Sequence, residues 1–190
     1  MTTTRPYHHG DLRRAVLAAA IEVITESGPA ALSLRDLARR AGVSHAAPAH
    51  HFGDKAGLLT AVAAEGYDML ADALEVAASR GSLVDMGVAY VRFGVDHRAH
   101  FEVMYRPEHY RADDPAVRAA EARTDAALYG GIGGLPDERD GTDAEIAGIA
   151  AWSLMHGFAT LWLNKALPPE LGDDPEPAAR AVAGFLFRAP

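Results

Sequence analysis

Leu34-Arg35-Asp36-Leu37-Ala38-Arg39-Arg40-Ala41-Gly42-Val43-Ser44-His45 has the pattern of two short helices joined by a tight glycine turn. Ser33 and Asp36 have the spacing of a capping box, which predicts a helix from Leu34 to about Ala41. Gly42 supplies the turn, Val43 can plug a core, and Ser44 suits the N-cap of a second helix beginning near His45. Pro48 would then stand at the fourth helical position, where the first intrahelical amide bond forms, so that turn is expected to be distorted or to start later. Phe52 closes the element, and Gly53-Asp54 breaks the chain before a long helix from Lys55 towards Arg80, capped by Asp54.

Outward from this run, helical periodicity dominates. Leu12, Ala15, Val16, Ala19, Ala20, Val23 and Ile24 form one stripe between Asp11 and Glu26, and Ser27-Gly28-Pro29 ends it. Beyond Arg80 the pattern predicts helices over Leu83 to His97, Ala99 to Tyr105, Pro115 to about Gly130, Thr142 to a stop before Pro168-Pro169, and Pro177 to Phe187. The stretch from Gly130 to Gly141 is polar and glycine-rich and is expected to be a flexible loop. The fold class is all-α: a three-helix head over residues 1–53, and a larger helical body over 54–190.

Composition narrows the function. The chain of 190 residues carries a net charge of −8, but through Lys55 seven basic residues face five acidic ones, and after it eleven face twenty-one. Five of the nine histidines also fall in the head: His8, His9, His45, His50 and His51. A mildly basic head on an acidic body fits contact with a polyanion through the head alone. The absence of cysteine excludes disulfides, thiolate catalysis and cysteine-ligated zinc. No uninterrupted apolar run approaches the ~20 residues of a membrane span. The first residues lack the apolar core of a signal peptide. The expected location is the cytosol, without membrane association.

A helix-turn-helix reads DNA with the N-terminal end of its second helix, where only small or hydrogen-bonding side chains fit between base edges and groove wall. Ser44, His45, Ala46, Ala47 and His50 meet that demand: the hydroxyl and imidazoles can bond base edges, and the alanine methyls can touch thymine methyls. Arg35, Arg39, Arg40, His51 and Lys55 are candidates for phosphate, as are the helix starts near Ser33 and Lys55.

From about Tyr7 to Tyr67, roughly a third of the chain, the sequence resembles the N-terminal domain of the tetracycline-repressor family. The matching residues are the helix Leu12 to Gly28, Ser33-Leu34-Arg35-Asp36-Leu37-Ala38, Ala41-Gly42-Val43-Ser44, and His50-His51-Phe52-x-Asp54-Lys55-x-x-Leu58-Leu59. Ala151-Trp152-Ser153-Leu154-Met155-His156-Gly157 resembles a Trp-x-x-x-His-Gly motif from the C-terminal domain of one branch. The resemblance implies a transcription regulator, most simply a ligand-responsive repressor, bound as a homodimer to a near-palindromic operator on double-stranded DNA. It implies dimerisation through the last two long helices, with Ile149, Ser153, Phe158, Leu161, Val182 and Phe185 as interface candidates. It also implies a small-molecule effector pocket in the body, for which Phe93, His97, Phe101, Met104, Tyr105, Trp152 and His156 are the candidate lining. One position departs: the family commonly has a phosphate-contacting tyrosine where this chain has Ala49.

Other readings are blander. His8 and His9 can be an N-terminal arm or a terminus without a role. His45, His50 and His51 point to different helix faces and lack a completing carboxylate, so no metal is expected there, and no cofactor elsewhere. His97 and His100 read most simply as a surface pair. Trp152 and His156, four apart, also fit plain packing. The rivals to a regulator are a helical adaptor that has lost DNA binding, suggested by Pro48 and Ala49, and a small helical enzyme. The latter lacks a nucleophile elbow, a phosphate loop or a ligand cluster.

Overall fold

The computed structural model describes residues 9–80, 82–132 and 141–186, with side chains over 12–80, 82–130 and 145–185. Among the described residues there are nine α-helices and no strand: α1 His9–Ser27, α2 Leu34–Arg40, α3 Ala47–Phe52, α4 Lys55–Ala78, α5 Leu83–Asp96, α6 Arg98–Met104, α7 Pro115–Ile132, α8 Gly141–Leu163 and α9 Pro175–Leu186. The all-α expectation holds. His8, the side chain of His9, most of the glycine-rich stretch before Gly141, and Phe187 lie outside the described residues.

Local signals account for most boundaries. Asp54 caps α4 by accepting from the Gly57 amide at 2.8 Å, and Ser82 caps α5 by accepting from the Asp85 amide at 3.2 Å. Pro115 occupies the first position of α7, where a missing amide hydrogen costs nothing. Gly42 and Gly53, with φ of 65° and 76°, bracket α3 in the left-handed region that side chains with a Cβ avoid. One expected cap is not made: Ser33 is the N-cap of α2, but its side chain makes no cap hydrogen bond. The capping box is therefore absent, and α2 starts on the extended backbone of Ser33 and the amide of Leu37 bonding its carbonyl at 3.0 Å.

One continuous buried cluster runs from Val16 in α1 through Leu37, Phe52, Leu58, Val62, Leu70 and Val91 to Ala183 in α9. Helix α4 carries the largest share of it. The head packs on its first turns and α7 lies along it, while α5 sits between α4 and the α8–α9 pair. Leu37 is fully buried; truncating such a leucine typically costs ~2–5 kcal/mol.

The break expected between the helices ending at His97 and starting near Ala99 falls at His97 itself. His97 ends α5 and begins α6 with φ −121° and ψ 44°, so His97 and His100 do not share one helix. His100 is 4% exposed and its Nε2 lies 3.2 Å from Glu65 Oε2. It pins α6 to α4 rather than forming a surface pair.

Helix α8 also departs from expectation. By length and composition Glu145–Leu163 is long and apolar enough to cross a membrane. Ser153, His156 and Thr160 interrupt the apolar run without adding charge, which is why a search for uninterrupted apolar residues missed it. Its inner row, Met155, Phe158 and Ala159, is buried, whereas Ile146, Ile149 and Leu161 on the outer row are exposed.

Candidate nucleic-acid interface and the cavity behind it

Helix α2 turns its buried Leu37 and Ala38 inward. Its end is stitched to the turn by Ala41 N to Leu37 O at 2.8 Å and Val43 N to Ala38 O at 2.9 Å. The chain then makes a further turn over Ser44-His45-Ala46, closed by Ala47 N to Ser44 O at 3.0 Å. Helix α3 begins only at Ala47, later than the expected start near His45, and no side chain caps it. The later start puts Pro48 in the first turn, where its amide has no helical bond to give. That resolves the awkwardness of Pro48.

The shift changes which residues face outward. Ser44, His45, Ala46, Ala49 and His50 are exposed and His51 is half-buried, with its ring 5.3 Å from that of His50. Ala47, however, is 7% exposed and turns inward beside buried Pro48. Its methyl is unavailable to a base, because a helix starting at Ala47 points that residue at the head's own interior.

The basic candidates surround this face. Arg35, Arg39 and Arg40 are exposed along α2, and Ser33 is half-buried at its start. Arg39 lies 3.7 Å from Asp36 and Arg40 3.2 Å from Glu26, exposed pairs that a phosphate could replace at little cost. Lys55 instead gives its ammonium to the Ala30 carbonyl at 2.9 Å, tying the start of α4 to the turn after α1. Arg13 stands over the Phe52 ring, 5.3 Å from its centroid, fastening the end of α3 to α1.

Behind the head, the body gathers its aromatic side chains around a residue that the sequence reading did not single out. The Tyr90 hydroxyl oxygen lies 2.7 Å from that of Tyr105 and 2.9 Å from His156 Nδ1, and it accepts from Trp152 Nε1 at 3.0 Å. Phe101 stacks on His156 at 5.1 Å, and Tyr105 meets the same ring edge-on at 4.4 Å. Burial pushes the Tyr90 phenol well above its ordinary range and the His156 imidazole below its own. Tyr90 precedes Phe93 by three and His97 by seven, and a phenol inside the apolar periodicity of α5 was the available signal.

A cavity of about 280 Å³ adjoins this cluster, and Met104, Tyr105 and Trp152 are among its walls. Phe101 and His156 pack behind it. Phe93 and His97 line a separate groove between α4, α5 and α9. The seven pocket candidates therefore do not share one cavity. Tyr67, Tyr110, Glu121, Thr124, Asp125 and Tyr129 also line it and were not anticipated; four of the six lie on α7, whose sequence shows a helix but no face turned to a pocket.

Of the six interface candidates, Ile149, Ser153, Leu161 and Phe185 are exposed and Val182 is half-buried. Phe158 is 7% exposed and is removed from that set. It belongs to the inner row of α8, near Trp162 at 5.9 Å.

Comparison with known proteins gives two adjacent matches. The description "Tetracyclin repressor-like, C-terminal domain" fits residues 83–186, and "Bacterial regulatory proteins, tetR family" fits residues 16–62. An HTH-type transcriptional repressor of Mycobacterium tuberculosis is 42% identical over 57 residues, which is 30% of this chain and 30% of that relative. A solved structure of a protein of unknown function from Rhodococcus sp. RHA1 is 33% identical, with a TM-score of 0.80 over 96% of this chain and 97% of its own. A tetR-family bacterial regulatory protein from Rhodococcus RHA1 shares the fold with a TM-score of 0.70 at 24% identity, over 92% of this chain and 94% of its own.

Proposed function

The chain belongs to the tetracycline-repressor family of bacterial regulatory proteins, and from that premise we propose that it is a homodimeric transcriptional repressor released from its operator by a small molecule. The observation that carries this reading is the exposed edge Ser44-His45-Ala46 with Ala49 and His50, held rigid from behind by buried Leu37, Ala38, Ala47 and Pro48. A surface of small and hydrogen-bonding groups on a braced short helix suits entry into a major groove. Arg35, Arg39 and Arg40 flank it as phosphate partners. The division between head and body falls at Gly53-Asp54.

The dimer follows from what a lone protomer leaves bare. Ile146, Ile149 and Leu161 on α8 and Phe185 on α9 are large exposed apolar side chains, more than a monomer of this size ordinarily shows in one region. A second copy covers them by two-fold symmetry and sets the two recognition helices one DNA turn apart, ~34 Å, so the operator is a near-palindrome. This pairing also accounts for the apolar character of α8 without a membrane, and the protein works in the cytoplasm. The branch of the family is the one with Trp152-x-x-x-His156-Gly157, whose tryptophan and histidine meet at Tyr90. The cavity beside that cluster is the effector site.

A titration of the purified protein against a duplex carrying its own promoter region tests the proposal. Binding should be specific and should weaken steeply with salt. Affinity no greater than for random duplex at matched salt would overturn it.

A further inference from the structure

The cavity between α4, α6, α7 and α8 has an unusual lining. Tyr67, Tyr105, Tyr110, Tyr129 and Trp152 supply aromatic surface, and no lysine, arginine or histidine is among its walls. Glu121 and Asp125 stand four apart on α7, with Tyr129 one turn further along the same row. All three are exposed at the rim.

Most side-chain hydrogen-bond donors around the cavity are already committed. Tyr67 and Tyr110 both donate to the Met104 carbonyl, at 3.2 and 2.9 Å. The Trp152 indole N–H donates to the Tyr90 hydroxyl at 3.0 Å, and Thr124 donates to the Tyr67 carbonyl at 2.8 Å; the Tyr105 hydroxyl accepts from Tyr90 at 2.7 Å and keeps its own proton to give. An anion entering here finds few side-chain donors and two negative charges. What the walls do offer is aromatic rings and carboxylates.

The two carboxylates lack a counter-charge. Neither Glu121 nor Asp125 forms an ion pair among the described residues; the neighbouring Arg123 is turned to Asp72 and Glu75 on α4. Burial pushes the Asp125 carboxyl above its ordinary range, with no opposing cation. Other carboxylates that line grooves of the body do have such partners: Asp85 pairs with Arg180, and Glu176 with Arg92 and Arg180.

From the aromatic rings, the mostly committed donors and the uncompensated Glu121 and Asp125, we infer that the effector cavity takes an organic cation, a substituted ammonium carrying an aromatic or apolar group. Ring quadrupoles attract a desolvated ammonium at their faces, and the carboxylates at the rim draw it in. The volume of about 280 Å³ lies near the lower end of small-molecule sites, ~300 Å³. It suits a compact cation of one ring. As an effector assignment this rests on the regulator proposed above.

The test uses the full-length protein and benzyltrimethylammonium, with its neutral isostere neopentylbenzene and the anion phenylacetate for comparison, each followed by tryptophan fluorescence and calorimetry. The cation should saturate with an affinity at least ~10-fold above either comparison. The double variant Glu121→Gln, Asp125→Asn should lose that preference while binding the neutral isostere as before. Both residues are exposed at the rim, and circular dichroism confirms the variant's fold. No saturation by the cation, a comparison compound bound as tightly, or a preference that survives in the double variant would each overturn the inference. The same samples are titrated with operator duplex, which separates the two readings. Operator binding without cation binding sinks only the cation site. Cation binding by a protein indifferent to every duplex sinks the regulator.

Discussion

Arg111 reaches from the turn ahead of α7 to the carboxylate of Asp54, Nη2 to Oδ2 at 2.8 Å. The Arg111 backbone amide also donates to Thr60 Oγ1 at 3.0 Å. Asp54 is the cap that starts α4 immediately after α3, and the Gly57 amide together with the Arg111 guanidinium holds its carboxyl below the usual range. Tyr110, the residue before Arg111, is a wall of the cavity. A short covalent and hydrogen-bonded path therefore joins the cavity to the base of α3.

That path predicts a loss of coupling in Arg111→Ala. Effector coupling in such proteins typically amounts to ~5–150-fold in affinity. The variant should bind operator nearly as tightly as the parent in the absence of ligand, while the weakening produced by benzyltrimethylammonium falls to under ~3-fold. Operator titrations with and without the cation measure both. An undiminished response would mean that occupancy is communicated elsewhere, for instance where α6 meets α4 through His100 and Glu65.

At the DNA face, Ala49 is exposed beside His50, so a tyrosine there meets no packing obstacle. Ala49→Tyr should tighten binding to all sequences alike and steepen the salt dependence if it adds a phosphate contact. His50→Ala should instead cost ~1–3 kcal/mol on the operator alone, as the loss of a base contact does. Salt-controlled titrations against operator and scrambled duplex distinguish the two. A uniform loss for His50→Ala would mark it as a backbone contact.

How far the sequence carried this picture depended on whether a feature is encoded locally. The helix ends were legible, since Gly28, Gly42, Gly53 and Pro115 act through their own backbone chemistry. Ala47 and Phe158 were not. Which side of a short helix faces inward depends on where its first turn begins, and Pro48 moved that start past His45. Helix α8 is apolar nearly all round, so no stripe distinguished the row that packs on α5 from the row left bare. Tyr90 was not legible and His100 read as a surface residue, because a polar atom inside an apolar helix gains meaning only from partners distant in sequence, at positions 156 and 65.

Helices α8 and α9 offer a sharper contrast between two phenylalanines, one buried and one bare. Phe185 is 79% exposed, so Phe185→Glu should leave the protomer folded and lower the mass seen by light scattering from dimer to monomer, with operator binding lost alongside. Burying a phenylalanine in an interface is worth ~1.5–3 kcal/mol, and each dimer would lose two. Phe158→Ala should act on the protomer itself, lowering its unfolding free energy by ~3–5 kcal/mol. Monomeric behaviour of the parent at micromolar concentration without detergent would defeat this prediction.

Tyr90 gives the last prediction, in which stability and pH meet. Its hydroxyl is the common partner of Tyr105, His156 and Trp152, so Tyr90→Phe leaves polar groups unpaired while hardly changing shape. An unsatisfied buried group costs ~1–3 kcal/mol, and denaturant unfolding should show a loss of that order. The same site makes the fold acid-sensitive. Burial holds the folded-state value of His156 below its ordinary 6.5, so the unfolded chain binds the proton more readily. The contribution of neutral His156 is then fully present above about pH 6.5 and is lost as the pH falls towards the lower folded value. Replacing the imidazole with an apolar ring, His156→Phe, removes that proton uptake, so the stability lost between pH 7 and pH 5, ~2 units spanning the ordinary histidine range, should be smaller in the variant than in the parent. Equal losses would mean that folding does not shift the proton affinity of His156.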